Sequence, residues 1–154
     1  MRTLALLMVV GACTSEPALP GTWQIESRVV SDGCQTFEDF PVMVRTRLVI
    51  DETLTVQHCD IYGGQCSGKF TVERAAPGRY YGERLDAHRL GNACEFSVQT
   101  DTLALEGDRF TYTWQMHNLH DAPPPCTRAH LDGIRDTLTC EHATRYEATR
   151  VEAP

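Results

Sequence analysis

Pro20-Gly21-Thr22-Trp23-Gln24-Ile25-Glu26-Ser27-Arg28-Val29 is the stretch whose reading decides the fold. After the Pro-Gly pair, residues alternate in character. That is the period of a strand with one face on a core and the other in water. Trp23, Ile25, Ser27 and Val29 share one face, and Gln24, Glu26 and Arg28 the other. From Thr22 onward long amphipathic helical patterns are absent, while β-branched and aromatic residues are frequent.

The same period recurs downstream and predicts eight strands, over residues 22–30, 42–50, 53–59, 67–74, 79–87, 94–105, 109–117 and 136–151. The second aligns Val42, Val44, Thr46, Leu48 and Ile50. The third aligns Leu54, Val56 and His58, the fourth Phe70 and Val72, and the seventh Phe110, Tyr112, Trp114 and Met116. The eighth aligns Leu138, Cys140, His142, Thr144, Tyr146, Ala148 and Arg150. In the sixth, Phe96, Val98 and Thr100 share a face, but Leu103 and Leu105 fall out of phase with them. A bulge near Asp101 is expected to restore the phase.

Paired in chain order, these strands form an antiparallel meander whose connections alternate between two ends. Asp51-Glu52, residues 75–78 and the hairpin signal Gly107-Asp108 are short and lie at one end. Residues 31–41, 60–66, 88–93 and 118–135 are longer and lie at the other. Pro123-Pro124-Pro125 excludes a regular ladder there, and residues 129–134 suit a short helical turn. The expected fold is all-β, an eight-stranded antiparallel up-and-down barrel with one tidy end and one elaborated mouth. A β-sandwich of the same strands is the alternative.

The first twelve residues differ from the rest. Arg2 precedes a short apolar run from Leu4 to Val10, the pattern of a cleaved export signal rather than a membrane span. Val10-Gly11-Ala12-Cys13 resembles a bacterial lipobox, which implies lipid attachment to the Cys13 sulfur and cleavage before it. Residues 13–20 then form a lipidated tether, and 21–154 the domain. The alternative is an ordinary signal peptide with a chance cysteine. The chain carries −7 overall. Loss of Arg2 leaves thirteen cations against twenty-one anions, or −8. Such a protein has no basic footprint for nucleic acid, and its membrane attachment rests on acyl chains.

Six further cysteines, Cys34, Cys59, Cys66, Cys94, Cys126 and Cys140, read as a disulfide framework in an exported chain. Cys59 and Cys66 flank a Gly-rich turn and form the natural local pair; the other pairings stay open. All six fall at the longer-loop end, where disulfides would pin loops with little core of their own.

Gly21-Thr22-Trp23 at the first strand, the eight-strand meander and the long first loop together resemble a lipocalin-type barrel. The resemblance implies that Trp23 closes the narrow end and that an arginine of the last strand, here Arg150, packs across it. It places any ligand at the opposite, cysteine-rich end. The inward set Phe70, Phe96, Phe110, Tyr112, Trp114 and Tyr146 either fills a core or lines a pocket. The ligand-binding candidates are His58, Tyr112, Trp114, Met116, His142 and Tyr146, which combine an apolar wall with polar handles. The function expected is non-catalytic binding of a small apolar or amphipathic molecule. A structural or protein-interaction lipoprotein of the cell envelope, with a filled barrel, is the alternative. No Cys-x-x-Cys occurs, and His117-x-x-His120 sits at a strand end rather than on a helix, so no metal or cofactor is expected. No serine sits in a Gly-x-Ser-x-Gly elbow, and Glu83, Asp86 and Glu95 read as a solvated face, so an enzyme is not expected.

Overall fold

A computed structural model describes residues 18–34, 38–40, 46–60 and 65–151, with side chains left out at residues 39, 40 and 60. Cys13 and its lipobox, and Val42 and Val44 of the expected second strand, lie outside the described residues.

Ten strand segments form a single antiparallel sheet. They are β1 Gly21–Asp32, β2 Glu38–Phe40, β3 Thr46–Ile50, β4 Thr55–Asp60, β5 Cys66–Thr71, β6 Glu73–Ala76, β7 Arg79–Leu90, β8 Ala93–Glu106, β9 Arg109–Ala122 and β10 Thr139–Arg150. β2 lies along β1, and the other nine run in the order β5-β4-β3-β1-β10-β9-β8-β7-β6. The two edges of that path, β5 and β6, are separated in the chain only by Val72. The sheet is therefore a nearly closed barrel, not a sandwich. The stretch that reads as one strand over 67–74 serves two ladders, β5 on β4 and β6 on β7.

The division at Val72 has a local cause. The Val72 amide donates to the Leu54 carbonyl at 3.1 Å, holding the chain to β4. Gly82 of β7 comes so close that a Cβ there would sit 2.6 Å from the Thr71 oxygen. Glycine permits this contact, and the barrel closes through it. On the β5 side of that point, β5 and β7 share no ladder.

The tidy end is packed solid. Trp23, Leu48, Ile50, Val56, Val72, Tyr80, Leu103, Leu105, Phe110 and Ala148 form the barrel's core. Trp23 and Phe110 meet edge to face at 4.7 Å. Leu19 belongs to this core and is fully buried, and its carbonyl accepts from Trp23 Nε1 at 3.0 Å. Residues 18–20, which the sequence pattern places in the tether, are therefore part of the fold.

A second core lies outside the barrel. Phe96, Val98, Ala122, Leu131 and Leu138 pack with Leu85, Ala87, Leu119 and Ile134. Here helix α1, Arg128–Ile134, which follows the proline run, buries Leu131. The Thr127 hydroxyl caps the helix by accepting from the His130 amide.

This outer core corrects the reading of β8. No register shift occurs near Asp101; the only one on the β8–β9 ladder is between Cys94 and Phe96. The strand simply passes from one core to another. Phe96 and Val98 face the helix outside, while Leu103 and Leu105 face the lumen. Gln99 and Asp101, which share that parity, are carried inward and buried. Phe96 is thus not a lumen aromatic.

The bulge lies in β1 instead, between Ile25 and Ser27 on the ladder with β10. Before it, Ile25 opposes Ala148; after it, Ser27 opposes Glu147 and Arg28 opposes Tyr146. Directly opposed residues share a face. Ser27 and Val29, expected inward, consequently face out, and Arg28, expected outward, faces the lumen.

Candidate functional site

The solid core ends about midway up the barrel. Above it is a cavity of about 330 Å³, within the range of small-ligand pockets and near its lower limit. Strand parity supplies the lining. β4 sends in His58, β9 Tyr112 and Trp114, and β10 His142, Thr144 and Tyr146. β5 adds Gly68, Lys69 and Phe70, β7 and β8 add the paired Arg84 and Gln99, and β1 adds Arg28 by way of its bulge.

Of the six ligand-binding candidates named from sequence, five meet here: His58, Tyr112, Trp114, His142 and Tyr146. Met116 does not line the cavity. It is half-buried, opposite Gln99 on β8 and His142 on β10. Arg28, Lys69, Arg84 and Gln99 were missed. Arg28 and Gln99 are assigned outward by simple alternation; the β1 bulge corrects Arg28, and the outer core that takes Phe96 and Val98 corrects Gln99.

The aromatic wall is a stack. Tyr112 lies between Phe70, at 5.3 Å and 21°, and Tyr146, at 5.4 Å and 13°. His58 packs against Tyr146 at 5.5 Å, and His142 edge-on to Trp114 at 5.1 Å. Burial and then the Arg28 charge push the His58 pKa down, so His58 is neutral near pH 7. Burial pushes the Tyr146 hydroxyl up.

Beneath the cavity a polar chain is buried. Tyr112 donates its hydroxyl to Asp101 at 2.8 Å, Gln99 Nε2 donates to the same carboxylate at 3.1 Å, and Arg84 donates to Gln99 Oε1 at 2.8 Å. Asp101 is only 2% exposed. Burial raises its pKa, while the Tyr112 and Gln99 bonds and the Arg84 charge hold it down. The Tyr112 hydroxyl is pushed far up by burial and by the adjacent carboxylate.

The electrostatic balance of the lining is one-sided. Arg28, Lys69 and Arg84 contribute cations, and among the described residues no Asp or Glu lines the cavity. A second surface depression at the unpaired β5–β7 seam shares Lys69, Phe70 and Arg84 with it.

At the narrow end, Trp23 and Arg150 meet. The guanidinium carbon lies 4.3 Å from the indole centroid. Arg150 also donates to the Pro20 carbonyl at 3.1 Å and to that of Ala18. Gly21 has φ +147°, and a Cβ on it would sit 2.7 Å from Arg150 Nη1. The Gly-x-Trp pattern thus encodes the space the arginine occupies.

The six cysteines form three pairs, Cys34–Cys140, Cys59–Cys66 and Cys94–Cys126, with Cα separations of 5.6, 4.0 and 5.2 Å. All lie at the end away from Trp23. They tie β1 to β10, β4 to β5, and β8 to the segment that carries α1.

β9 runs to Ala122, five residues past the expected 117, so His117 and His120 are strand residues rather than loop residues. His120 lies between Glu95 on β8, at 3.0 Å, and Glu141 on β10, at 2.7 Å. Asn118 also donates to Glu141 at 2.7 Å. Among the described residues no group of three or more His, Cys, Asp or Glu is placed to hold a metal ion. Glu83 pairs with Arg135, Asp86 with Arg84 and Glu95 with His120.

No family model, curated protein or solved structure matches this chain.

Proposed function

We propose that the protein is a non-catalytic, lipocalin-like binding protein that takes a small amphipathic molecule into the upper half of its barrel. The observation that carries this reading is the cavity itself. Its lining combines the Phe70-Tyr112-Tyr146 stack with the polar and charged side chains of Arg28, Lys69, Arg84 and Gln99. Binding sites pair an apolar wall with a few placed polar groups in this way. The three cysteine pairs stiffen the segments around the open end, so less conformational entropy is lost on capture.

The same pairs favour an oxidising compartment. With the N-terminal pattern they support an exported lipoprotein held to the bacterial envelope through Cys13, with the membrane as its partner through the acyl chains.

Titration with neutral phenylnaphthylamine tests the binding reading, with fluorescence enhancement reporting entry into an apolar site. Saturable one-to-one binding is expected; linear, unsaturable uptake would remove it. Native mass spectrometry of protein purified from its own envelope then identifies what the cavity carries. Replacing Cys13 by Ser should abolish acyl labelling, and unchanged labelling would sink the anchor.

A further inference from the structure

We infer that the cavity selects amphiphiles with an anionic head group, a carboxylate or sulfonate on a flat apolar body, and that Arg28 is the head-group ligand. This rests on the binding reading above and narrows its ligand class.

The argument begins with charge. The chain is strongly acidic, at −7, so a cavity lined at random would include carboxylates. Among the described residues its lining has three fixed cations and no carboxylate. The nearest buried acid, Asp101, is turned to Tyr112 and Gln99. A neutral ligand would leave Arg28, which no acidic side chain among the described residues pairs with, without a counter-charge. An anion supplies one through a charge-assisted hydrogen bond.

The three cations are not equivalent. Arg84 is already engaged, by Asp86 at 3.3 Å and by Gln99 at 2.8 Å. Lys69 sits on the edge strand β5 at the unpaired β5–β7 seam, next to Phe70 and so at the opposite end of the aromatic stack from Tyr146. Arg28 differs from both. It is exposed at the rim of the cavity, and among the described residues no acidic side chain pairs with it. The β1 bulge turns it into the lumen opposite Tyr146, which is the end of the aromatic stack. A head group on Arg28 therefore leaves the apolar body lying against Tyr146 and Tyr112. The guanidinium offers a planar pair of donors that matches a carboxylate or sulfonate.

The test compares two probes of nearly the same shape, anilinonaphthalene sulfonate, an anion, and phenylnaphthylamine, which is neutral. The wild-type protein should bind the anion at least about tenfold more tightly, a difference of about 1.4 kcal/mol. Arg28→Gln should weaken the anion about tenfold and leave the neutral probe within about twofold, and Arg28→Lys should recover part of the loss. Unchanged near-ultraviolet circular dichroism in each variant shows that the fold persists. The wild-type comparison needs no variant, so a poorly folded Arg28→Gln protein does not rescue the idea.

Equal affinity for both probes, or equal loss of both in Arg28→Gln, overturns the anion inference and leaves the binding reading standing. Saturable binding of neither probe overturns both.

Discussion

Tyr112→Phe isolates one bond at the floor of the cavity. The ring is kept, and with it the stacking on Phe70 and Tyr146 at 5.3 and 5.4 Å. Only the hydroxyl that donates to Asp101 at 2.8 Å is removed. A hydrogen bond to a charged group contributes about 1.5–3 kcal/mol, and neither residue is more than 2% exposed. A loss of about 2 kcal/mol is therefore expected at neutral pH. For a chain of this length that is about 4–8 °C in Tm, since each kcal/mol shifts the midpoint by about 2–4 °C.

The sign of the pH dependence is the sharper part. Asp101 has a folded pKa raised above 3.8, with burial as the main cause and the Tyr112 bond opposing it. A carboxyl with a raised folded pKa contributes stability that is present at low pH and lost as pH rises through that pKa. Removing Tyr112's hydroxyl raises the Asp101 pKa further. The variant should thus lose more stability than wild type as pH rises from about 4 to 7. Urea unfolding at several pH values, with the disulfides intact, reads this directly. A deficit that is constant across that range, or below about 0.5 kcal/mol at pH 7, would refute the claim that a buried carboxylate leans on this hydroxyl.

Other consequences are independent of that bond. Gly21→Ala forces a Cβ to a φ of +147° and against Arg150 Nη1, so a loss of about 1–3 kcal/mol is expected in denaturant titrations; wild-type stability would contradict the closure. Arg150→Met keeps stem packing but removes the donors to Ala18 and Pro20; hydrogen exchange should show residues 18–21 opening while β8 and β9 stay protected. Cys94→Ala with Cys126→Ala releases a cross-link spanning 32 residues, worth about 3–4 kcal/mol by loop entropy, and exchange in α1 should rise well above that of the barrel core. The His120 clamp has a pH window. Its bond to Glu141 raises the His120 pKa from 6.5, and the Asn118 and His120 bonds lower that of Glu141 from 4.5. His120 contributes fully below about 6.5 and less as pH rises through its folded value, and Glu141 fully above about 4.5 and less as pH falls through its own. His120→Gln should therefore cost most between those limits and little at pH 9.

Much of the architecture is legible in local chemistry. Period-two alternation marks β1, β4, β9 and β10, because a half-buried strand sends successive side chains to opposite sides. Gly107-Asp108 and the Asp51 turn mark hairpins, because short connections tolerate few backbone shapes. The last of these is held by Asp51 itself, whose carboxylate accepts from the Thr53 and Thr55 amides at 2.9 and 3.0 Å. The loop-end cysteines and the pairing of Cys59 with Cys66 follow from chain order. So does the presence of His58, Tyr112, Trp114, His142 and Tyr146 in one cavity, since each shares parity with an unmistakable core residue on its own strand.

What the sequence alone determined, then, is where most of the strands lie and the order in which they connect, since these depend on neighbours within a few positions; the longer loop expected over 88–93 is instead a two-residue turn, Gly91-Asn92, between β7 and β8. Tertiary structure decided the faces wherever alternation is broken. A change of phase in β8 has two physical causes that look identical in one dimension, a bulge or a second core on the other side of the sheet. Only the packing of α1 over Phe96 and Val98 selects the second core. Conversely, β1 keeps a flawless alternation through its bulge, because Arg28 is read as solvent-facing until Tyr146 is found opposite it. Those two reversals bring Arg28, Gln99 and Asp101 inside, and with them the charge that sets the chemistry of the cavity.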